Sequence, residues 1–119
     1  MVKLGIFFDK LRFEEKSLYE TAIKNEIDCN LIDSRNVILN TDYLTSNDLC
    51  FGDIMLQRSI SHFRGQYLTV CLEILGQNVI NNSRIGEICG NKMLTYMVLK
   101  KNNVPTPKSF FSFNYDSAL

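Results

Sequence analysis

Four side chains suited to holding an anion stand close together at Arg58, Ser59, Ser61 and Arg64, within the stretch DIMLQRSISHFRG. Guanidinium forks match the planar geometry of a carboxylate or phosphate. Hydroxyls at a helix start sit beside free backbone N–H groups and the positive end of the helix dipole. The same residues also suit a plainer arrangement, in which both arginines are solvated or paired with nearby acids and Ser61 is the N-cap of a helix. Lys92 is the second candidate, two residues beyond Gly90 at the start of a helical pattern. A lysine there opposes the helix dipole unless an anion compensates it, and otherwise it is an ordinary exposed lysine. Arg12, near the end of the first apolar segment, carries the same ambiguity.

Other chemistries lack their residues. No glycine lies between Asp9 and Phe13, so the G-x-G-x-x-G dinucleotide fingerprint is missing, and no G-x-x-x-x-G-K-[ST] phosphate loop occurs. A receiver-type phosphoacceptor site wants acids at the ends of both the first and third strands, but the third segment ends in Gln57-Arg58. Cys29, Cys50, Cys71 and Cys89 form no C-x-x-C pair, so they read as buried, inert thiols. The single histidine, His62, has no second metal ligand near it and belongs on a helix surface.

The elements that must position these residues alternate. Val2–Phe8 (VKLGIFF) is an apolar run, as in a strand covered on both faces of a parallel sheet. Phe13–Asn25 has helical spacing, with Glu14 and Glu15 in the favourable first turn. Asp28–Asp33 and Asp53–Arg58 are the second and third strands, joined by a polar stretch, Ser34–Asn47, read as loop with one turn of structure. Phe63, Tyr67, Val70, Cys71 and Ile74 share one helical face over Ser61–Leu75, which Gly76 terminates. Asn78–Asn81 is a short fourth strand, Ser83–Cys89 a short capped helix, and Lys92–Asn102 a further helix using Leu94, Met97 and Val98. Val104-Pro105-Thr106-Pro107 forces an extended path into Ser109–Phe113, whose exposed Phe110, Phe111 and Phe113 suggest a strand awaiting cover. This order predicts an α/β fold with a parallel, doubly wound sheet, whose chemistry sits beyond the carboxyl ends of its strands.

Composition agrees. The 119 residues are 45% apolar and 22% charged, an ordinary globular balance with room for one domain at most. Thirteen basic residues balance thirteen acidic ones, leaving no net field to draw in nucleic acid or anionic lipid. With no membrane-length apolar run and no secretory leader, a cytoplasmic protein is expected.

Three segments, GIFFDKLRFEEKSL, DIMLQRSISHFRG and VINNSRIGEICGNKMLTYMVLKKNNVPTPKS, resemble in order and spacing the amino-terminal part of the RimK-like ATP-grasp ligases. The likeness is greatest to the lysine-biosynthesis branch, which extends a small acidic amino-group carrier protein with 2-aminoadipate, or with glutamate in the related arginine route. It covers nearly the whole chain, and Cys89-Gly90-Asn91-Lys92 with the following helix and Pro-Thr-Pro turn is its most specific part. The resemblance implies a pre-ATP-grasp, Rossmann-like domain over residues 1–88 and the first elements of an ATP-grasp domain over 89–119. It implies an enzyme that uses ATP and Mg2+ to activate a carboxylate as an acyl phosphate, which an amino acid's amine then attacks.

By the same resemblance Lys92 contacts ATP, while Asn91 stands where the family pattern has an aspartate. The resemblance assigns no ligand to Arg12, Arg58, Ser59, Ser61 or Arg64, which stand as substrate-binding candidates for an anionic substrate or carrier tail. Catalytic residues and metal ligands are expected downstream of Leu119, so the 119 residues alone are expected to be inactive. Expected partners are the acidic carrier protein, a small amino acid and, for the complete ligase, further copies of itself. A free-standing, non-catalytic module of the same fold that binds an anion or partner is the alternative.

Overall fold

A computed structural model describes residues 1–43, 49 and 51–119. The chain falls into two compact units, Met1–Gly86 and Glu87–Leu119. In the first, β1 (Lys3–Phe8), α1 (Phe13–Lys24), β2 (Asp28–Asp33), β3 (Ile54–Gln57), α2 (His62–Ile74) and β4 (Asn78–Ile80) follow in chain order, with a 3-10 turn at Ser34–Asn36. The four strands form one parallel sheet in the order β2-β1-β3-β4. The expected doubly wound α/β architecture is therefore present. The chain steps to one side of β1 to make β2 and to the other to make β3 and β4, so the order reverses between β1 and β3.

Alternation along β1 builds a core on each face of the sheet. Ile6 packs with Ala22 of α1 and Cys29 of β2 on one side. Phe7, the next residue, packs with Met55, Leu68, Leu72 and Val79 on the other, beneath α2. Residues buried on both faces explain why β1 reads as an unbroken apolar run. Gly5 lets β1 and β3 approach, since a Cβ there would lie 2.5 Å from the Met55 sulfur. Gly76 ends α2 at φ +82°, a left-handed conformation that suits glycine.

The helix α2 docks through a different face from the one its apolar spacing picks out. Phe63, Tyr67, Cys71 and Ile74 face solvent, and the helix docks through Gly65, Leu68, Thr69 and Leu72 instead. Both faces of this helix are apolar, so periodicity could not identify the buried one. Phe63 and Tyr67 pack against each other with their rings tilted by 47° and their centroids 4.6 Å apart. The cysteine expectation also fails in part. Cys29 is buried and its thiol is pushed up by burial, reinforced by Asp28, whereas Cys71 and Cys89 are exposed; Cys50 lies outside the described residues, as does the end of the Ser34–Asn47 connection.

The last elements are α3 (Ser83–Gly90) and α4 (Lys92–Lys101), followed by an irregular segment and a 3-10 turn at Asp116–Ala118. Phe110, Phe111 and Phe113 are exposed, but no strand forms around them. Pro105 and Pro107 carry no N–H to donate to a ladder. No helix is long and apolar enough to cross a membrane among the described residues.

Candidate functional site

The carboxyl ends of β1 and β3, where the strand order reverses, carry a network of carboxylates and arginines. Asp9 follows β1 directly. Its carboxylate accepts the backbone N–H groups of Ile60 and Ser61, each at 2.9 Å, and Arg64 Nη1 at 2.8 Å. The β3–α2 loop is thereby tied to the end of β1. Burial alone would raise the Asp9 carboxyl, but those N–H donors and the Arg64 charge outweigh it and hold it below the usual range.

Glu15 organises the opposite side. It is fully buried in the first turn of α1, three residues after the N-cap residue Arg12. Its carboxylate accepts Arg12 N–H at 3.0 Å, Arg12 Nε at 3.0 Å, Arg12 Nη2 at 2.6 Å and Arg58 Nε at 3.3 Å. Nearby, Arg35 Nη2 donates to Asp33 at 2.6 Å, and that arginine holds the Asp33 carboxyl at about 2. Two serines join the loops: Ser59 Oγ donates to Ser34 Oγ, which donates to the Phe8 carbonyl, both at 2.9 Å.

The structure thus brings Arg12 and Arg58 together on Glu15 and sets Ser59, Ser61 and Arg64 beside them. Ser61 is the N-cap of α2, its Oγ accepting Arg64 N–H at 3.3 Å. Asp9 and Glu15 are members of the site that sequence reasoning did not identify. A signal existed for Glu15, because glutamate at the third helical position can reach back to the cap residue's N–H. Beside the loop lies a polar cleft of about 150 Å³ lined by Ser59, Ser61, His62, Gln66, Thr69 and Asn82, among others, and by neither arginine. His62 is exposed on the first turn of α2, as expected for a surface position.

The Glu15 carboxyl is lowered from its ordinary 4.5 to about 2, chiefly by the Arg12 side chain working against burial. A depressed carboxyl adds stability above its unfolded pKa and loses it as pH falls towards the folded value. Stability should therefore decline between about pH 5 and about pH 2. Glu15→Gln is expected to flatten that decline, as read by urea unfolding across the window; an unchanged slope would assign the acid sensitivity to other carboxylates.

Lys92 lies in the second unit, exposed on the first turn of α4. Asn91 caps that helix, its Oδ1 accepting Leu94 N–H at 3.2 Å. Asparagine caps a helix about as well as aspartate. An ammonium group beside the unpaired N–H groups of a helix start fits a phosphate. For magnesium the described residues do not fit, since no group of three His, Cys, Asp or Glu converges on one point among them.

A family model described as the LysX preATP-grasp domain matches residues 4–88. The chain is 34% identical over 109 residues, 91% of its length, to the alpha-aminoadipate–LysW ligase LysX of Saccharolobus solfataricus. It is 33% identical over 119 residues to the LysX of Sulfurisphaera tokodaii, and 26% identical over 118 residues to the glutamate–LysW ligase ArgX of that organism. The chain spans 38%, 41% and 40% of these three relatives' own lengths.

Proposed function

Because the chain belongs to the LysX preATP-grasp domain family, we propose that it forms the amino-terminal part of an ATP-dependent carboxylate–amine ligase of lysine or arginine biosynthesis. The reaction joins 2-aminoadipate or glutamate to the terminal glutamate of a small acidic carrier protein. ATP first converts the carrier carboxylate to an acyl phosphate, and the amino acid's amine displaces the phosphate to leave an amide. The observation that carries this reading is the family match over 4–88, with LysW-ligase relatives aligned along at least nine tenths of the chain. On this reading 1–88 is the pre-ATP-grasp domain, 89–119 begins the ATP-grasp domain, Lys92 contacts ATP, and the protein works in the cytoplasm as a homo-oligomer.

The residues in hand would bind and orient rather than transform. Arg58, Arg64 and Arg12 lie at the end of the sheet with donors for a carboxylate, and Ser59 and Ser61 fix the loop between Arg58 and Arg64.

The test incubates the complete protein with ATP, magnesium, an acidic carrier protein and each amino acid separately. Release of ADP together with a carrier mass increased by one amino-acid residue is expected, and the productive amino acid distinguishes the two routes. No mass change with either would refute the reading. The 119 residues alone are expected to give no ligation. Arg64→Ala in the complete enzyme is expected to raise the Michaelis constant for the carrier or the amino acid, and unchanged constants would remove Arg64 from the substrate site.

A further inference from the structure

The polar cleft beside the β3–α2 loop lies where two helices begin. β3 and β4 are adjacent and parallel, so the helices that follow them, α2 and α3, start at the same end of the sheet. Ser61 Oγ accepts Arg64 N–H at the start of α2, and Asn82 Oδ1 accepts Ile85 N–H at 2.9 Å at the start of α3. Both capping residues line the cleft. A cap side chain satisfies only part of a helix start's orphan donors. His62 and Phe63 on α2 and Arg84 on α3 keep N–H groups with no partner among the described residues. The positive ends of two helix dipoles therefore lie beside one cavity.

Thr69 is an independent sign of a ligand. It lines the cleft about two turns beyond the Ser61 cap, is only 2% exposed, and its hydroxyl has no hydrogen-bond partner among the described residues. Thr95 on α4, by contrast, gives its hydroxyl to the Ile88 and Asn91 carbonyls. An unpaired buried hydroxyl costs free energy, so such groups are normally bonded to protein, water or a ligand. Two glycines of the cleft wall, Gly65 and Gly86, put no side chain into it. A Cβ on Gly65 would meet the Gln57 and Ser59 side chains at 3.6 Å, and one on Gly86 would lie 2.5 Å from Gln66 Oε1.

The lining selects the ligand's sign and size. None of the lining residues is acidic, His62 is the only one whose side chain can take a charge, and the others are amides, hydroxyls and the two glycines. A hard metal ion would want carboxylates, whereas an anion suits N–H and O–H donors at a helix start. About 150 Å³ holds roughly five waters at about 30 Å³ each. A phosphate, four oxygens about one phosphorus, fits that space, and a whole nucleotide does not. We propose that this cleft is a binding site for a phosphate group, held by the starts of α2 and α3 and by the Thr69 hydroxyl. The site uses neither Lys92 nor the arginine–carboxylate network, and it does not depend on the ligase reading.

The experiment titrates inorganic phosphate, and separately methyl phosphate, into the complete protein without ATP or magnesium, against sodium chloride at matched ionic strength. Backbone amide resonances locate the site, and the thermal midpoint reports occupancy, since a ligand that binds only the folded state raises it. Saturable shifts centred on residues 61–69 and 82–86 are expected with phosphate and not with chloride. Tighter binding of the free ion identifies it as the ligand, and tighter binding of the ester identifies the phosphoryl group of a larger molecule. Thr69→Val replaces the hydroxyl with a methyl group and is expected to weaken phosphate binding about tenfold, while the midpoint without phosphate stays the same or rises. Gly65→Ala places a methyl group in the cleft at ordinary contact distance and is expected to abolish the saturable shifts. Absence of saturable shifts, equal shifts with chloride, or shifts that survive Gly65→Ala would each overturn the proposal, the last by placing the ion outside the cleft. A lower midpoint for Thr69→Val without phosphate would show that the fold already uses the hydroxyl, and would overturn it too. If the alanine variant does not fold, Thr69→Val and the chloride comparison still decide.

Discussion

Phe7→Ala is expected to destabilise the first unit by about 3–5 kcal/mol, the range for emptying a buried aromatic site. Phe7 has no solvent exposure and sits on β1, which pairs with β2 on one side and β3 on the other. Its ring meets Phe51 edge-on, centroids 5.3 Å apart, and packs on Met55, Leu68, Leu72 and Val79. A strand held on both edges cannot shift to fill the void, so transfer and cavity costs add. Against a total stability of roughly 5–15 kcal/mol, such a loss removes from about a fifth to all of the margin. Urea unfolding followed by circular dichroism measures it. Phe113→Ala, at a ring 93% exposed, is the matched control and should change stability by less than about 0.5 kcal/mol. A loss at Phe7 below about 1.5 kcal/mol would mean that α2 relaxes onto the vacated space.

That central packing is also why the fold was legible. A strand buried on both faces leaves a contiguous apolar signature, and LGIFF bears it whatever the rest of the chain does. The facing of α2 was not legible, because Leu68 and Leu72 on one side and Phe63, Tyr67 and Ile74 on the other give the same local period. Only the sheet decides which face is covered. The candidate site divides in the same way. Arg58, Ser61 and Arg64 announce themselves by type and by position at a strand end and helix start. Their acids do not, since Glu15 lies 43 residues from Arg58 and Asp9 lies 55 from Arg64. Pairings at that separation exist only once β1 and β3 are adjacent. The phenylalanines at 110, 111 and 113 show the reverse error, where an apolar cluster suggests a strand and none forms.

If the proposed ligase reading holds, Lys92→Met in the complete protein is expected to lower kcat/KM by about 10²–10³-fold, the scale for removing one preorganised group from developing phosphate charge. The same change should leave thermal stability unaltered or slightly raised. A lysine on the first helical turn opposes the macrodipole, at a cost of about 0.3–1 kcal/mol. The end of α4 is capped by Asn91 through Leu94 N–H, which needs nothing from the lysine. Lys92 is exposed and forms no ion pair among the described residues. Among the described residues the fold gains no ion pair from this ammonium group. Activity and melting temperature should consequently move independently. If both fall together, Lys92 supports the structure. If neither moves, it is an ordinary exposed lysine, and the ATP contact that the family resemblance implies for it does not hold in this chain.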